Sequence, residues 1–253
     1  MPAIPAWPPH STPRLFIDEL LAEGSEIRIE GGQAHYLLNV MRMKDGAPVK
    51  LFDDRSGEYL ATVSVTGKRD LALTVQGKLR DRLPLPDLWL CQALIKKDRL
   101  DWIAEKSCEL GIGRFVPVLT RRCVVDKVKE ERLRAQMIEA AEQCERTTLP
   151  EIMPLIKLEA MLKDWPSERT LYFCDERGGE PFSQAIKVGP AAILIGPEGG
   201  FTDDENAAIR AAPFAVPVSL GPNILRADTA AVAAISVWMA LGDWSECPAQ
   251  RHH

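Results

Sequence analysis

Two segments of this chain repeat one device, in which an apolar strand stops on Gly-Pro and passes through a short loop straight into a helix. The first is AILIGPEGGFTDDE, residues 192–205, and the second is VSLGPNILRADTAAVAAI, residues 218–235. A strand apolar on both faces must be covered on both, which selects a mostly parallel sheet between helices. In such sheets a small ligand sits beyond the carboxyl ends of the strands. Pro197 stiffens the first loop, and Gly199 and Gly200 let a ligand approach the main chain. Thr202 or Asp203 can cap the next helix, with Glu205 reaching back. In the second segment Asp228 reads as the N-cap of an Ala-rich helix that Gly242 ends. Arg226 stands just before it, where the helix dipole already favours anions. The plain alternatives are a tight turn bearing one exposed carboxylate, Glu198, and a surface ion pair between Arg226 and Asp228.

A third segment, LYFCDERGGEPF at 171–182, has the same form, so three strand ends could line one small-molecule pocket. No GxGxxG opens a helix after a strand, and no Walker lysine follows a Gly-rich loop, which excludes those nucleotide folds. From about residue 84 onward apolar runs alternate with helical patterns at Asp98–Leu110, Glu130–Arg146, Asp203–Ala211 and Asp228–Leu241. Before it the runs RLFI, EIRI, VKLF, EYLATVSV and LALTVQG are strand-like, interrupted by one helix, QAHYLLNVMR. Pro84 and Pro86 break the periodicity between the two regimes. The expected organisation is a flexible Pro-rich arm at 1–13, a small β-barrel at 14–83 and an α/β domain at 84–253.

The net charge of -5 excludes binding of nucleic acid by bulk positive charge, so any such contact must be local. The six cysteines form no CxxC pair and mostly fall inside apolar patterns, which reads as reduced, buried thiols; of the four histidines, His252 and His253 end the chain, and no metal site is expected. The start lacks a secretory pattern, and the apolar stretch Ala230 to Leu241 is shorter than the about 20 residues a membrane span needs. A cytoplasmic protein with no membrane segment is expected.

Together with KKDRLDWIAEKSCELGI and IEAAEQCER, the pair LIGPEGGFTDDE and SLGPNILRADTA resembles the ribosomal RNA small subunit methyltransferase E family of the SPOUT superfamily. The resemblance runs from PRLF at residue 13 to the last helix. It implies a PUA-like RNA-binding barrel followed by an α/β methyltransferase domain tied in a deep trefoil knot, an exception to the usual avoidance of knots. It further implies S-adenosylmethionine bound in the knot, a homodimer formed through the knotted domains, and methylation of uridine N3 in 16S ribosomal RNA, with the assembled 30S subunit as substrate. Cofactor contacts carry over to Leu171 and Phe173, to Ile195, Gly196, Glu198 and Gly200, and to Leu220, Pro222, Ile224, Leu225 and Arg226. The family pattern has Glu at Asp228 and often a basic residue at Asn223.

For RNA, the local basic groups are Lys96, Lys97 and Arg99 at a helix start, Arg121 and Arg122 after a strand, Arg146, and Arg14 and Arg42 in the barrel, all able to grip phosphates. Along the helix from Asp98, Leu100, Ile103, Ser107 and Leu110 form a core stripe, while Trp102, Lys106 and Glu109 share another face. In the next helix Leu133, Met137, Ala140 and Cys144 are expected inside. Uridine N3 must lose a proton before methylation. Arg226 is the first candidate to stabilise the resulting charge, and Glu198 can act as base or position the cofactor. The competing readings are another SPOUT enzyme, acting on a ribose 2'-hydroxyl or a different base, and a non-catalytic RNA-binding ribosome assembly factor.

Overall fold

The computed structural model describes residues 12–67, 69–175, 177–187 and 189–241. The expected arm up to residue 11, together with Gly242, Cys247, His252 and His253, lies outside the described residues. The chain divides into two compact units, residues up to 84 with 141–148, and residues 85–140 with those from 149 onward.

The first unit is a five-stranded sheet in the order β1-β3-β4-β5-β2, with β1 Arg14–Phe16, β2 Glu26–Ile29, β3 Pro48–Phe52, β4 Glu58–Val65 and β5 Leu71–Arg80. Alternating apolar residues of these strands, among them Val49, Leu51, Ala61, Val63, Leu71 and Leu73, fill one core with Leu37 and Ala34. The described strands make a half-barrel rather than the closed barrel expected. The three-residue β1 and four-residue β2 each pair on one side only, and so form its two edges. The single expected helix is split into α1, Gly31–His35, and a π-helical turn, Tyr36–Val40, after which Arg42 takes a left-handed φ of 53°.

Beneath this sheet lies a buried ionic cluster. Glu58 is 0% exposed and holds both Arg14 and Arg80, the latter at 2.8 Å. Arg14 also donates to the carbonyls of Ala141 and Arg146, and Arg80 to that of Glu145, whose carboxylate takes Lys50 Nζ at 3.3 Å. This corrects the expectation for Arg14: a buried guanidinium stacked 3.8 Å from the Phe52 ring centre and bonded to Glu58 and two carbonyls is a structural group, not a phosphate contact.

The second unit carries an eight-stranded, wholly parallel sheet, ordered β11-β13-β10-β12-β6-β7-β8 with β9 also on β7. Its principal strands are β6 Leu88–Ala93, β7 Arg114–Leu119, β10 Thr170–Cys174, β12 Ala191–Ile195 and β13 Ala215–Ser219; β8 Glu151–Ile152, β9 Ile156–Lys157 and β11 Glu180–Pro181 are two-residue pieces. Every residue of β12 is buried, as its unbroken apolar sequence requires. The helices are α2 Lys97–Leu110, α3 Glu130–Gln143, α4 Leu158–Lys163, α5 Phe182–Ala185, α6 Asp203–Ala211 and α7 Ala227–Leu241, with α7 packed on α2 and β12.

In α2, Leu100, Ile103 and Ser107 are buried as expected, and Lys106 is paired with Glu105 and Glu109. Helix α3 stops three residues before Arg146, because Glu145 is left-handed at φ 61°. Leu133, Met137 and Ala140 point inward, but Cys144 falls beyond the helix and is exposed. None of the described helices is long and apolar enough to cross a membrane.

Candidate active site

Strands β13, β10 and β12 are neighbours, so the loops leaving their carboxyl ends converge. With the start of α2, which follows the adjacent β6, they enclose a cavity of about 740 Å³. All four pieces belong to the second unit.

The β12–α6 loop is built by its small residues. A Cβ on Gly196 would lie 2.8 Å from the Phe201 ring, so only glycine lets the chain turn tightly over that ring; Gly200 has φ 66°. Thr202 caps α6 in a complete capping box with Glu205. The buried Glu205 carboxylate also accepts from the Arg121 backbone N–H at 2.8 Å. Arg122 Nη1 donates to the Gly199 carbonyl at 2.8 Å, and Arg121 pairs with Asp204 at 3.1 Å. The two arginines expected at RNA thus brace this loop.

The β13–α7 loop presents Leu220, Pro222, Ile224, Leu225 and Arg226 to the cavity, with Ile224 80% exposed. The N-cap of α7 is Arg226 itself and not Asp228, which sits inside the first turn. Asp228 pairs with Arg99 at 2.7 Å, tying the start of α7 to that of α2. The alternative Arg226–Asp228 pair is therefore absent, and the exposed Arg226 guanidinium has no partner among the described residues. Lys96 and Arg99 also line the cavity; Lys97 is exposed on the first turn of α2 outside it.

Ile195, Gly196, Glu198 and Gly200 line the cavity as well. Leu171 and Phe173 do not. Both are buried in the core beneath β10, paired to β12 and β13, and the strand reaches the cavity only at Cys174 and Asp175. Burial pushes the Cys174 thiol up to about 12. Asp175 is held by Arg210 Nε at 3.0 Å and by the Arg177 N–H at 2.9 Å. Of the remaining basic residues, Arg42 is exposed in the first unit, and Arg146 is half-buried there with its carbonyl on Arg14.

Sequence reading missed Asp175, Arg177, Val124 and Asn206 as lining residues. The first two lie in the DERGG loop already marked by its form; Asn206 carries no local signal at all. Among the described residues no His/Cys/Asp/Glu group could hold a metal. The arrangement is a cleft with an apolar wall (Ile195, Phe201, Val218), carboxylate and amide groups inside, and cations at the mouth, suited to a flat, polar-edged small molecule beside an anionic polymer.

Comparison with known proteins defines the class first. Residues 81–239 match the family described as RNA methyltransferase domain, and residues 29–76 the one described as RNA methyltransferase PUA domain. Ribosomal RNA small subunit methyltransferase E of Rickettsia conorii is 34% identical over 92% of this chain and 97% of its own length. That of Bacillus subtilis is 30% identical over 88% and 94%. The Neisseria gonorrhoeae enzyme of the same name, solved bound to S-adenosyl methionine, superposes with a TM-score of 0.81 at 29% identity, covering 91% of this chain and 98% of that one. A Legionella pneumophila structure containing bound SAM gives 0.80 at 28%, covering 90% and 97%. The chain belongs to the ribosomal RNA small subunit methyltransferase E family.

Proposed function

We propose that this protein transfers a methyl group from S-adenosylmethionine to N3 of a uridine in 16S ribosomal RNA within the 30S subunit, in the cytoplasm. The observation that carries the reading is the cavity at three adjacent parallel strand ends, with Arg226, unpaired among the described residues, at its mouth. The residues present fit the cofactor. The volume suits a ligand of its size, and main chain at Gly196 and Gly200 forms part of one wall, where a ligand can approach the backbone closely. Ile195, Gly196, Gly200, Leu220, Pro222, Ile224 and Leu225 would hold it, largely through main chain.

When bound, S-adenosylmethionine supplies an electrophilic methyl group on a sulfonium sulfur. The protein must bring uridine N3 into line with it, and such positioning supplies much of the acceleration. As N3 loses its proton, negative charge spreads to the base oxygens, and Arg226 is placed to stabilise it. Glu198, exposed at the cavity edge, is the candidate to take that proton or to orient the cofactor. Lys96, Arg99 and, in the PUA domain, Arg42 are the candidate phosphate contacts. Residues 84–253 then form the methyltransferase domain and 14–83 the RNA-binding one.

Two finer features belong to the same proposal. A trefoil knot is supported by the insertion of β13 between β10 and β11 before α7 runs back over β12 and α2. A homodimer through this unit is supported by Trp102 and Leu241, large apolar side chains 40% and 53% exposed on the packed helices α2 and α7. The test is transfer of labelled methyl groups to undermethylated 30S subunits, followed by nucleoside analysis. 3-Methyluridine is expected; a methylated ribose or another base would redirect the assignment, and no transfer despite cofactor binding would favour a ribosome assembly role.

A further inference from the structure

Arg226 is the residue just outside α7, and its carbonyl accepts the opening bond of the helix from the Ala230 N–H at 2.7 Å. Ahead of it, residues 222–225 make no hydrogen bond among the described residues. The exposed guanidinium, equally unpartnered, is therefore open to whatever anion lies within reach. In its own helix turn that anion is the Asp228 carboxylate, two residues on, where the helix dipole favours a negative charge. A pair between them would take the cation away from the cavity mouth.

Both oxygens of Asp228 are engaged elsewhere. Oδ1 accepts from the Thr229 N–H at 2.8 Å, and Oδ2 takes Arg99 Nη1 at 2.7 Å. Arg99 reaches it from the first turn of α2, the helix packed on α7, and the two side chains are only 34% and 18% exposed. A pair across two packed helices loses little further freedom when it forms, whereas Arg226 would have to fold back from a loop. Lys96, the N-cap of α2, also lines the cavity and has no side-chain partner among the described residues, so the carboxylate has selected Arg99 over another cation nearby. We infer that Arg99 is a positioning residue: by occupying Asp228 it keeps the Arg226 guanidinium free for the substrate. The role rests on Arg226 acting in methyl transfer, and it is separate from the phosphate contact proposed for Arg99, because the two predict different kinetics.

The test compares Arg99→Met, Asp228→Asn and the double variant of the full chain in single-turnover methylation of undermethylated 30S subunits. Phenylglyoxal labelling of Arg226, followed by peptide mapping, reads the pairing without any need for activity. In Arg99→Met the freed carboxylate turns to Arg226, so the rate at saturating RNA should fall about two- to fivefold, the span of one exposed ion pair. Labelling of Arg226 should slow by a similar factor. Asp228→Asn, whose amide oxygen can still accept from the Thr229 N–H, should keep the wild-type rate and labelling. Added to Arg99→Met, it should restore both, whereas a lost phosphate contact would raise the KM for RNA and stay uncorrected. Arg99→Ala, a good helix former, serves if the methionine variant does not fold. A double variant as slow as the Arg99 variant overturns the assignment, as does unslowed labelling of Arg226 once Arg99 is gone. Absence of methyl transfer by the wild type would instead remove the reaction reading, and the labelling would still decide the pairing.

Discussion

Arg226 stands at the cavity mouth as the N-cap of α7, and Asp228, its partner in the plain surface-pair alternative, is occupied by Arg99. Removing its side chain strands no buried group, so Arg226→Ala should leave stability within about 0.5 kcal/mol of wild type. If it stabilises charge only as N3 deprotonates, the variant should lose about 10²- to 10³-fold in single-turnover methylation. Full activity would remove Arg226 from the chemistry. Cysteine reactivity offers a second residue-level check. Burial drives both Cys91 and Cys174 up to about 12, whereas Cys144 is exposed. Alkylation at about pH 8 with peptide mapping should therefore modify Cys144 well before Cys91 and Cys174, since the thiolate is the reactive form. The residues legible in sequence were those on marked loops, such as Glu198, Gly200 and Arg226. Leu171 and Phe173 were misplaced because strand alternation does not say where a strand's side chains stop being core. Asn206 could not be seen, because its place on the cavity wall exists only once the fold has closed.

The β12–α6 loop shows how one element is held open. Its glycine at 196 fits over Phe201, its carbonyl at 199 accepts from Arg122, and Glu205 ties it to Arg121. Gly196→Ala forces the rigid aromatic ring to move, and such overpacking costs about 1–3 kcal/mol. Thermal or urea unfolding should show that loss together with weakened cofactor binding, and an unchanged variant would mean that the loop yields freely. Elements of this length were readable from the chain. The capping signal Thr202–Glu205 and the apolar run of β12 located a strand, turn and helix, the helix to the residue and the strand to within one, since it stops at Ile195 rather than on Gly196. The two-residue strands β8, β9 and β11 escaped, since no periodicity is defined over two positions. The split of QAHYLLNVMR into a helix and a π-turn escaped too, because side-chain spacing does not reveal a changed hydrogen-bond step.

At the scale of the whole molecule, the acidic balance limits RNA affinity to a few local cations. Fewer than about five phosphate contacts predicts a log–log salt slope no steeper than about -3.5 to -4.5 across single- and double-stranded RNA; a much steeper dependence would reveal a basic surface so far uncounted. The order of strands in the sheet and the recruitment of residues 141–148 to the first unit were invisible in the sequence, since both depend on pairings between distant segments. The buried cluster is where that recruitment is felt. Glu58→Ala leaves the guanidinium groups of Arg14 and Arg80 without their carboxylate and should destabilise the protein by about 3–5 kcal/mol in equilibrium unfolding, whereas a cost under about 1 kcal/mol would show that water replaces it. The same cluster imposes an order in time. The carbonyls of Ala141, Glu145 and Arg146 that complete it are made long after the strand carrying Arg80. At about 5–20 residues per second, synthesis takes several seconds to reach them. On the ribosome the amino-terminal sheet must wait with Arg14 and Arg80 short of these partners, so the first unit closes only after β6, α2 and β7 of the second have been translated.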